Sequence, residues 1–429
     1  MQRYDTYKDS GVKWLGEIPS HWEMKRWRFL MSENTTKNTN CKERLQLQFR
    51  YGDIVRKVNQ SEESDVLDTI SKYTIVEPDD IMINGLNLNY DFISQRVAQV
   101  QERGVITSAY ISLRPTEIAN SRYFTYFLKS MDAKKMFHGM GTGIRLTLSY
   151  NELKNQFIPC PSPEEQTAIA NYLDTATAKI DAAIAQQQKM IDLLNERKQI
   201  IINRAVTKGL NPNAKMKDSG VEWIGEVPEG WKIIPLKAII SFVNGYAFDS
   251  NDFKDEGEVK VIRISNIADG TIDYEGIAFV HQNQSLCPYL TKAGDLLIAM
   301  SGATTGKVGF DDLGGAYVNQ RVGIIRSDFQ KWVYYWLNTS YFKEYIYLSA
   351  LGSAQPNISS KGIKNFRILF PSIEDYDRIV ENLELLCQKV DNAIGSCKNQ
   401  ISLLQERKQI IINEVVTGKV KVYETNKKT

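Results

Sequence analysis

Two tracts of this chain carry apolar residues at three-, four- and seven-residue steps. In the first they fall at Ile169, Leu173, Ala176 and Ile180, then at Ile184, Ile191, Leu194 and Ile201. In the second they fall at Ile379, Leu383, Leu386 and Val390, then at Ile394, Ile401, Leu404 and Ile411. Such spacing lines apolar side chains along one helical seam and predicts coiled-coil helices. No proline interrupts 164–211 or 372–429. At about 1.5 Å per residue, a helix of roughly 40 residues is ~60 Å long. Each tract also has two consecutive four-residue steps, 176–180–184 and 386–390–394, which read as a stutter that locally unwinds a supercoil. Neither tract is apolar on all sides. Each therefore needs a partner, and the other tract is the economical one; two separate surface helices are the alternative.

The tracts belong to a longer repeat. KDSGVKWLGEIP at 8–19 returns as KDSGVEWIGEVP at 217–228, and ERKQIIIN at 196–203 returns unchanged at 406–413. The offsets are 209 and 210 residues, too long for a solenoid and right for a duplicated domain with its linker. The closing match extends back through Pro161-Ser162 and Pro371-Ser372. Residues 30–105 and 240–315 share little. Each half thus has a fixed opening, a variable body and a fixed closing helix.

The bodies read as α+β. Stretches rich in β-branched residues at 109–114, 259–267, 295–300 and 317–326 predict strands. Aromatic helices are expected to end the bodies, marked by Phe124, Phe127, Leu128 and Met131 in the first and by Trp332, Trp336, Leu337 and Phe342 in the second. At helical spacing these are read as core rather than as a platform for stacked bases.

Composition narrows the class. The chain has 429 residues, enough for two or three folded units, and a charged fraction of 24% that argues against wholesale disorder. A formal net charge of only +2 weighs mildly against a nucleic-acid binder, although local basic patches suffice for a large protein. The cysteines at 41, 160, 287, 387 and 397 form no C-x-x-C pair, and the histidines are His21, His138 and His281, so no zinc site is expected. A polar start without a signal-peptide core, and no long apolar run, point to a cytoplasmic protein without a membrane span.

Catalytic motifs fail on inspection. Ser301 to Val308 (SGATTGKV) imitates a phosphate loop, but three residues rather than four separate its glycines and Val308 follows the lysine. It reads as a turn between strands. Asn211-Pro212-Asn213 lacks the second proline and aromatic of an amino-methyltransferase motif and marks a boundary after Gly209. Glu258-Val259-Lys260 has no preceding Pro-Asp to complete a nuclease motif. There is no H-E-x-x-H and no G-x-S-x-G.

Two openings and two closings carry a resemblance. The openings are Ser10-Gly11, Trp14, Gly16, Pro19, Trp22 and Ser219-Gly220, Trp223, Gly225, Pro228, Trp231; the closings run 193–202 and 403–412, each ending in L-x-E-R-K-Q-x-I-I. The arrangement is similar to specificity subunits of Type I restriction-modification systems. Residues 352–358 (GSAQPNI) with Phe370-Pro371 look like that family's end-of-body motif. The first half departs there, with GTGIRL at 141–146. Glu165-Gln166 at the start of the first helix fits the family, whereas the second helix has Asp375-Tyr376.

The resemblance implies a non-catalytic subunit of an α+β fold. It would comprise a first target recognition domain (1–160), a first spacer helix (161–210), a second recognition domain (211–370), a second spacer helix (371–420) and a tail (421–429). The helices would pair as an antiparallel coiled coil, and the halves would form a pseudo-two-fold repeat. Double-stranded DNA would be read as a bipartite target. Two modification (methyltransferase) subunits would dock on the helices, and restriction (motor-nuclease) subunits would join them. This chain would hold no cofactor; S-adenosylmethionine, ATP and Mg would sit on the partners. Base reading needs polar side chains at groove edges. The candidates are Asn319, Gln320 and Arg321, Gln355 and Asn357, and Thr142 and Arg145; Ser301, Thr304, Thr305 and Lys307 are candidates for phosphate contact. Arg197, Lys198, Arg407 and Lys408 are candidates for partner contact. A DNA-independent coiled-coil scaffold is the rival class, and an enzyme with an unrecognised site is another.

Overall fold

The computed structural model describes residues 2–58, 64–90, 95–144, 146–221, 224–350 and 356–423. Two compact units emerge, Met1–Gln188 with Lys398–Thr429, and Lys189–Cys397. Each is a mixed α+β body with segments of both long helices, which run Pro163–Lys208 and Ile373–Val416.

The first unit opens with a hairpin of Tyr7–Asp9 and Glu17–Pro19. Its strand Glu23–Arg26 pairs with the closing strand Phe157–Cys160, so the two ends of the body meet. The main sheet runs in the order Met31–Glu33, Ile111–Pro115, Ile81–Ile83, Val97–Gln99, all antiparallel. The second unit repeats this plan. Met216–Asp218 pairs with Glu226–Pro228, and Lys232–Pro235 with Arg367–Phe370. Its main sheet is ordered Ser241–Asn244, Val322–Arg326, Asp295–Ala299, Val308–Asp311, again antiparallel, with Gly270–Thr271 added in parallel at the edge. The bodies diverge in what surrounds this sheet. The second adds Ala278–Val280, Val259–Ile262 and Tyr317–Val318 as a sheet of their own, where the first has two short two-stranded ribbons. The shared sheet survives sequence divergence because most positions of its inner strands need only be apolar. Asp295–Ala299 is buried along its whole length, residues 296–299 being an aliphatic run between two neighbours while Asp295 is paired with Arg326.

Three sequence expectations need correction. The stretch 317–326 is two strands of different sheets, Tyr317–Val318 and Val322–Arg326, parted by a turn at 319–321. The stretch 259–267 stops being a strand at Ile262, and a 3₁₀ turn, Ile264–Asn266, follows. The aromatic helices do not end the bodies; the closing strands do. In the second body the aromatic residues lie on two helices, Gln330–Leu337 and Ser340–Ala350. Thr339 separates them, its hydroxyl donating to the Trp336 carbonyl at 2.7 Å and accepting from Phe342 N at 3.2 Å.

The aromatics are core, as their spacing predicts. Tyr123, Phe124, Phe127, Leu128 and Met131 are buried with Ile169, Leu173 and Ile180 of the first helix. The same core takes Ile411, Ile412, Val415 and Val416 from the end of the second helix. The second unit mirrors this, packing Trp332 and Trp336 with Ile379 and Leu383 and with Ile202, Ala205 and Val206 from the end of the first helix. Each fully buried aliphatic side chain contributes roughly 1.5–3 kcal/mol, so the helix ends are integral to these cores.

Within each unit the helix segments run antiparallel. In the first, Glu165 near one helix start meets Tyr4 and His21 at 2.6 and 2.9 Å, while Tyr7 of the same opening segment reaches the Gly418 carbonyl just past the other helix end, at 3.1 Å. Further along, Lys408 donates to both carboxylate oxygens of Asp181 at 2.7 Å. In the second unit Lys198 does the same to Asp391 at 2.7 Å. The helix starts are pinned differently. Gln166 is fully buried, donating to the Ile118 and Pro161 carbonyls and accepting from Asn120 N. Tyr376, at the matching position, packs edge-on against Phe329 and Trp332. An aromatic cluster thus replaces a polar pin.

Candidate nucleic-acid interface

In the second body, backbone hydrogen bonds gather three candidate segments. Asn319 N donates to the Ile262 carbonyl at 2.9 Å, which sets the 319–321 turn beside the end of Val259–Ile262. Met300 N donates to the Arg321 carbonyl at 2.9 Å, and Ile358 N donates to the Met300 carbonyl at 2.9 Å. Ser301 bridges to Asn357, and Gly302 N donates to the Pro356 carbonyl at 3.0 Å. The 301–307 turn, the 319–321 turn and 356–358 are therefore neighbours. Tight backbone approach helps: a Cβ on Gly245 would lie 2.1 Å from the Asn319 carbonyl oxygen, so only glycine lets that strand end close on the turn.

The side chains in this cluster divide by task. Thr305 Oγ1 donates to the Gly302 carbonyl at 2.6 Å and lies 3.0 Å from the Pro356 carbonyl, and Thr304 Oγ1 donates to the Ile264 carbonyl at 3.3 Å. These hydroxyls brace the turn. Lys307 is only loosely paired, its Nζ 3.9 Å from Asp269. Ser301 Oγ is buried with no partner among the described residues. Gln320, Arg321 and Asn357 are exposed and Asn319 is half-buried; none makes a side-chain hydrogen bond or ion pair among the described residues. Gln355 lies outside the described residues.

In the first body the matching place holds a tight hairpin. Thr142 and Thr147 exchange backbone hydrogen bonds at 3.0 and 2.9 Å, and the tip residue Ile144 is 98% exposed. Arg145 lies outside the described residues. The hairpin is clasped by 84–89. Leu148 N donates to the Gly85 carbonyl at 2.8 Å, Leu88 N donates to the Leu146 carbonyl at 3.1 Å, and Asn89 Nδ2 reaches the Ile144 carbonyl at 3.0 Å. That clasp is organised by Arg96, a residue sequence reasoning missed. Its guanidinium donates to the carbonyls of Asn84, Leu86 and Asn87 at 2.9, 2.7 and 3.2 Å. Nothing in the local sequence marks an arginine that organises a loop ten residues upstream.

The helix candidates also divide. Lys198 and Lys408 are occupied by Asp391 and Asp181. Arg197 and Arg407 are exposed and without an ion pair among the described residues. They share their helix faces with large exposed apolar residues one heptad apart, Leu193 and Ile200 in one copy and Leu403 and Ile410 in the other.

The chain was compared with known proteins. A family model for the Type I restriction modification DNA specificity domain matches residues 57–191 and 228–402. The Type I restriction enzyme MjaVIII specificity subunit of Methanocaldococcus jannaschii is 28% identical over 370 residues, covering 83% of this chain and 82% of that protein. The Type I restriction enzyme EcoBI specificity subunit of Escherichia coli is 24% identical over 289 residues, covering 64% of this chain and 60% of that one. A chain from a solved structure concerned with complex assembly and conformational transition of the type I R-M system superposes with a TM-score of 0.68 at 14% identity. It covers 93% of this chain and 98% of its own length. With family matches in both halves that together span more than half of its residues, this chain belongs to the family of Type I restriction-modification DNA specificity domains.

Proposed function

We propose that this chain is the non-catalytic, DNA-reading subunit of a cytoplasmic Type I restriction-modification complex, each body reading one half of a bipartite duplex target. One observation carries the reading. The two bodies have the same main sheet but differ at the tips, and at one tip polar side chains without partners among the described residues are gathered on firmly held turns. Free donors and acceptors on a rigid support are what base-edge readout requires, since an interface must not spend its own hydrogen-bonding groups internally. Asn319, Gln320, Arg321 and Asn357 supply these groups in the second body. Thr142 and its hairpin are their counterpart in the first, and Lys307 is left for a phosphate.

The helices serve the partners. Two copies of one methyltransferase need two equivalent docking surfaces, and the repeated faces of Leu193, Arg197 and Ile200 and of Leu403, Arg407 and Ile410 are equivalent in sequence and exposure. S-adenosylmethionine, ATP and Mg belong to the methyltransferase and motor-nuclease subunits in this reading.

The test is an exchange of bodies. Replacing residues 20–157, or 230–367, with the body of a relative should change one half of the methylated sequence in the host genome and leave the other half intact. A chimera that changes both halves would remove the idea of independent readers, and a complex that retains no specific DNA would leave only a scaffold. Docking is tested separately by Leu403→Asp with Ile410→Asp, which should cost one methyltransferase copy by native mass measurement.

A further inference from the structure

Arg263 stands at the centre of the second body's cluster. It follows the strand Val259–Ile262 directly. The turn carrying Asn319 is bonded to its neighbour on one side, through the Ile262 carbonyl at 2.9 Å. The turn carrying Thr304 is bonded to its neighbour on the other, through the Ile264 carbonyl at 3.3 Å.

The side chain is held but not used. Its guanidinium carbon lies 5.7 Å from the centroid of the Phe253 ring. Its Nε is shut off from solvent and has no hydrogen-bond partner among the described residues. No carboxylate among the described residues pairs with it. The backbone beneath is fixed: Arg263 N donates to Asn266 Oδ1 at 2.9 Å, and the buried Asn266 donates to the Asp273 carbonyl at 3.1 Å.

This contrasts with the two arginines of the main sheets. Arg114 and Arg326 are each matched by a carboxylate in two-pronged contact. A desolvated guanidinium donor without a partner is costly, and folded proteins seldom leave one. The terminal Nη atoms, which are not enclosed and make no hydrogen bond among the described residues, are the donors open to an acceptor from outside the chain.

We propose that Arg263 reads a guanine in the half-site bound by the second body, an inference that rests on the DNA-reading function proposed above. The planar fork, steadied by Phe253, suits a planar pair of acceptors, and guanine O6 and N7 present such a pair in the major groove. A base contact also explains the company it keeps. Asn319 and Gln320, whose side chains have no partner among the described residues, offer amides of the kind that pair with adenine. A phosphate contact would need neither a fixed ring support nor amides beside it.

The experiment enriches randomised duplex DNA on the full chain purified from its host with its accompanying subunits. The second body's half of the motif is identified by exchange of 230–367. Wild type should enrich a two-part motif with a guanine in that half. Arg263→Gln and Arg263→Lys should lose preference at that one base pair, by roughly 5- to 150-fold, and keep every other position. Retention of the first half of the motif reports an intact fold, and the lysine variant, which keeps stem and charge, decides the matter should the glutamine variant unfold. An unchanged motif in both variants overturns the proposal. So does a lysine variant that reads as wild type while the glutamine variant binds all sequences equally weakly, since that marks a phosphate contact. A wild-type complex that enriches no motif removes the DNA-reading function itself, and the proposal with it.

Discussion

Asp295 accepts hydrogen bonds from both Nε and an Nη of Arg326, at 2.8 and 2.6 Å, across adjacent strands of the second body's main sheet. Asp80 and Arg114 make the same two contacts in the first body, at 2.9 and 2.8 Å. Both pairs stand at one register position, beside Leu296↔Ile325 and Ile81↔Leu113. Both aspartates are buried, and both guanidiniums are held more firmly in their charged form by the carboxylate bonded to them. The bidentate geometry fixes how the two strands align, which is the starting point for every loop they carry.

Arg326→Met should therefore strand a buried carboxylate and destabilise the second body by about 2–4 kcal/mol. Arg114→Met should cost the first body less, because Arg114 is 43% exposed against 29% for Arg326. Pairing Arg326→Met with Asp295→Leu should recover most of the loss, since an apolar replacement leaves no unpaired charge. Urea denaturation followed by tryptophan fluorescence measures this; a double variant no better than the single one would show that the pair is not the unit.

The end of each long helix stabilises the body other than the one that leads into that helix. Ile412 lies in the core of the first body and Ile202 in that of the second. Ile412→Ala should cost about 2–5 kcal/mol and loosen the first body, and Ile202→Ala should loosen the second. Hydrogen exchange mapped by mass spectrometry distinguishes them. Loosening of the second body by Ile412→Ala would contradict the packing.

Thiol reactivity should follow burial. Cys160 and Cys387 are buried, and burial pushes both thiols above their ordinary value. Cys287 is exposed. Iodoacetamide at pH 8 should label Cys287 rapidly, with Cys160 and Cys387 reacting only after unfolding, because thiolate and access are both required. Peptide mass mapping over time reads the order directly.

Alkaline pH should unfold the protein through its tyrosines. Burial raises Tyr126 and Tyr334 from about 10 to about 12, and raises Tyr123 well above its ordinary value. A raised folded-state value means that the stabilisation is complete below pH 10 and is lost as pH climbs through 12. The tyrosinate absorbance of these residues should appear together with loss of the helical circular dichroism signal. Ionisation of all tyrosines at pH 10.5 with the fold intact would refute this.

Much of this was legible in the linear sequence. Repeated openings and closings exposed the duplication, and heptad spacing exposed the helices, because local periodicity reports which face of an element is buried. The aromatics of 121–133 and 330–342 were readable as core for the same reason. The turn at 319–321 was not, since Tyr317 to Arg326 is apolar enough for one strand and only the competing sheets decide where it breaks. Tertiary structure alone decided that Ile202 and Ile412 serve the bodies they do. It alone paired Asp80 with Arg114 and Asp295 with Arg326, occupied Lys198 and Lys408 with aspartates, and left Arg263 without a counter-charge among the described residues. Periodicity records that a residue is covered, whereas the partner that covers it, or the charge that is missing beside it, is set by segments tens to hundreds of residues away.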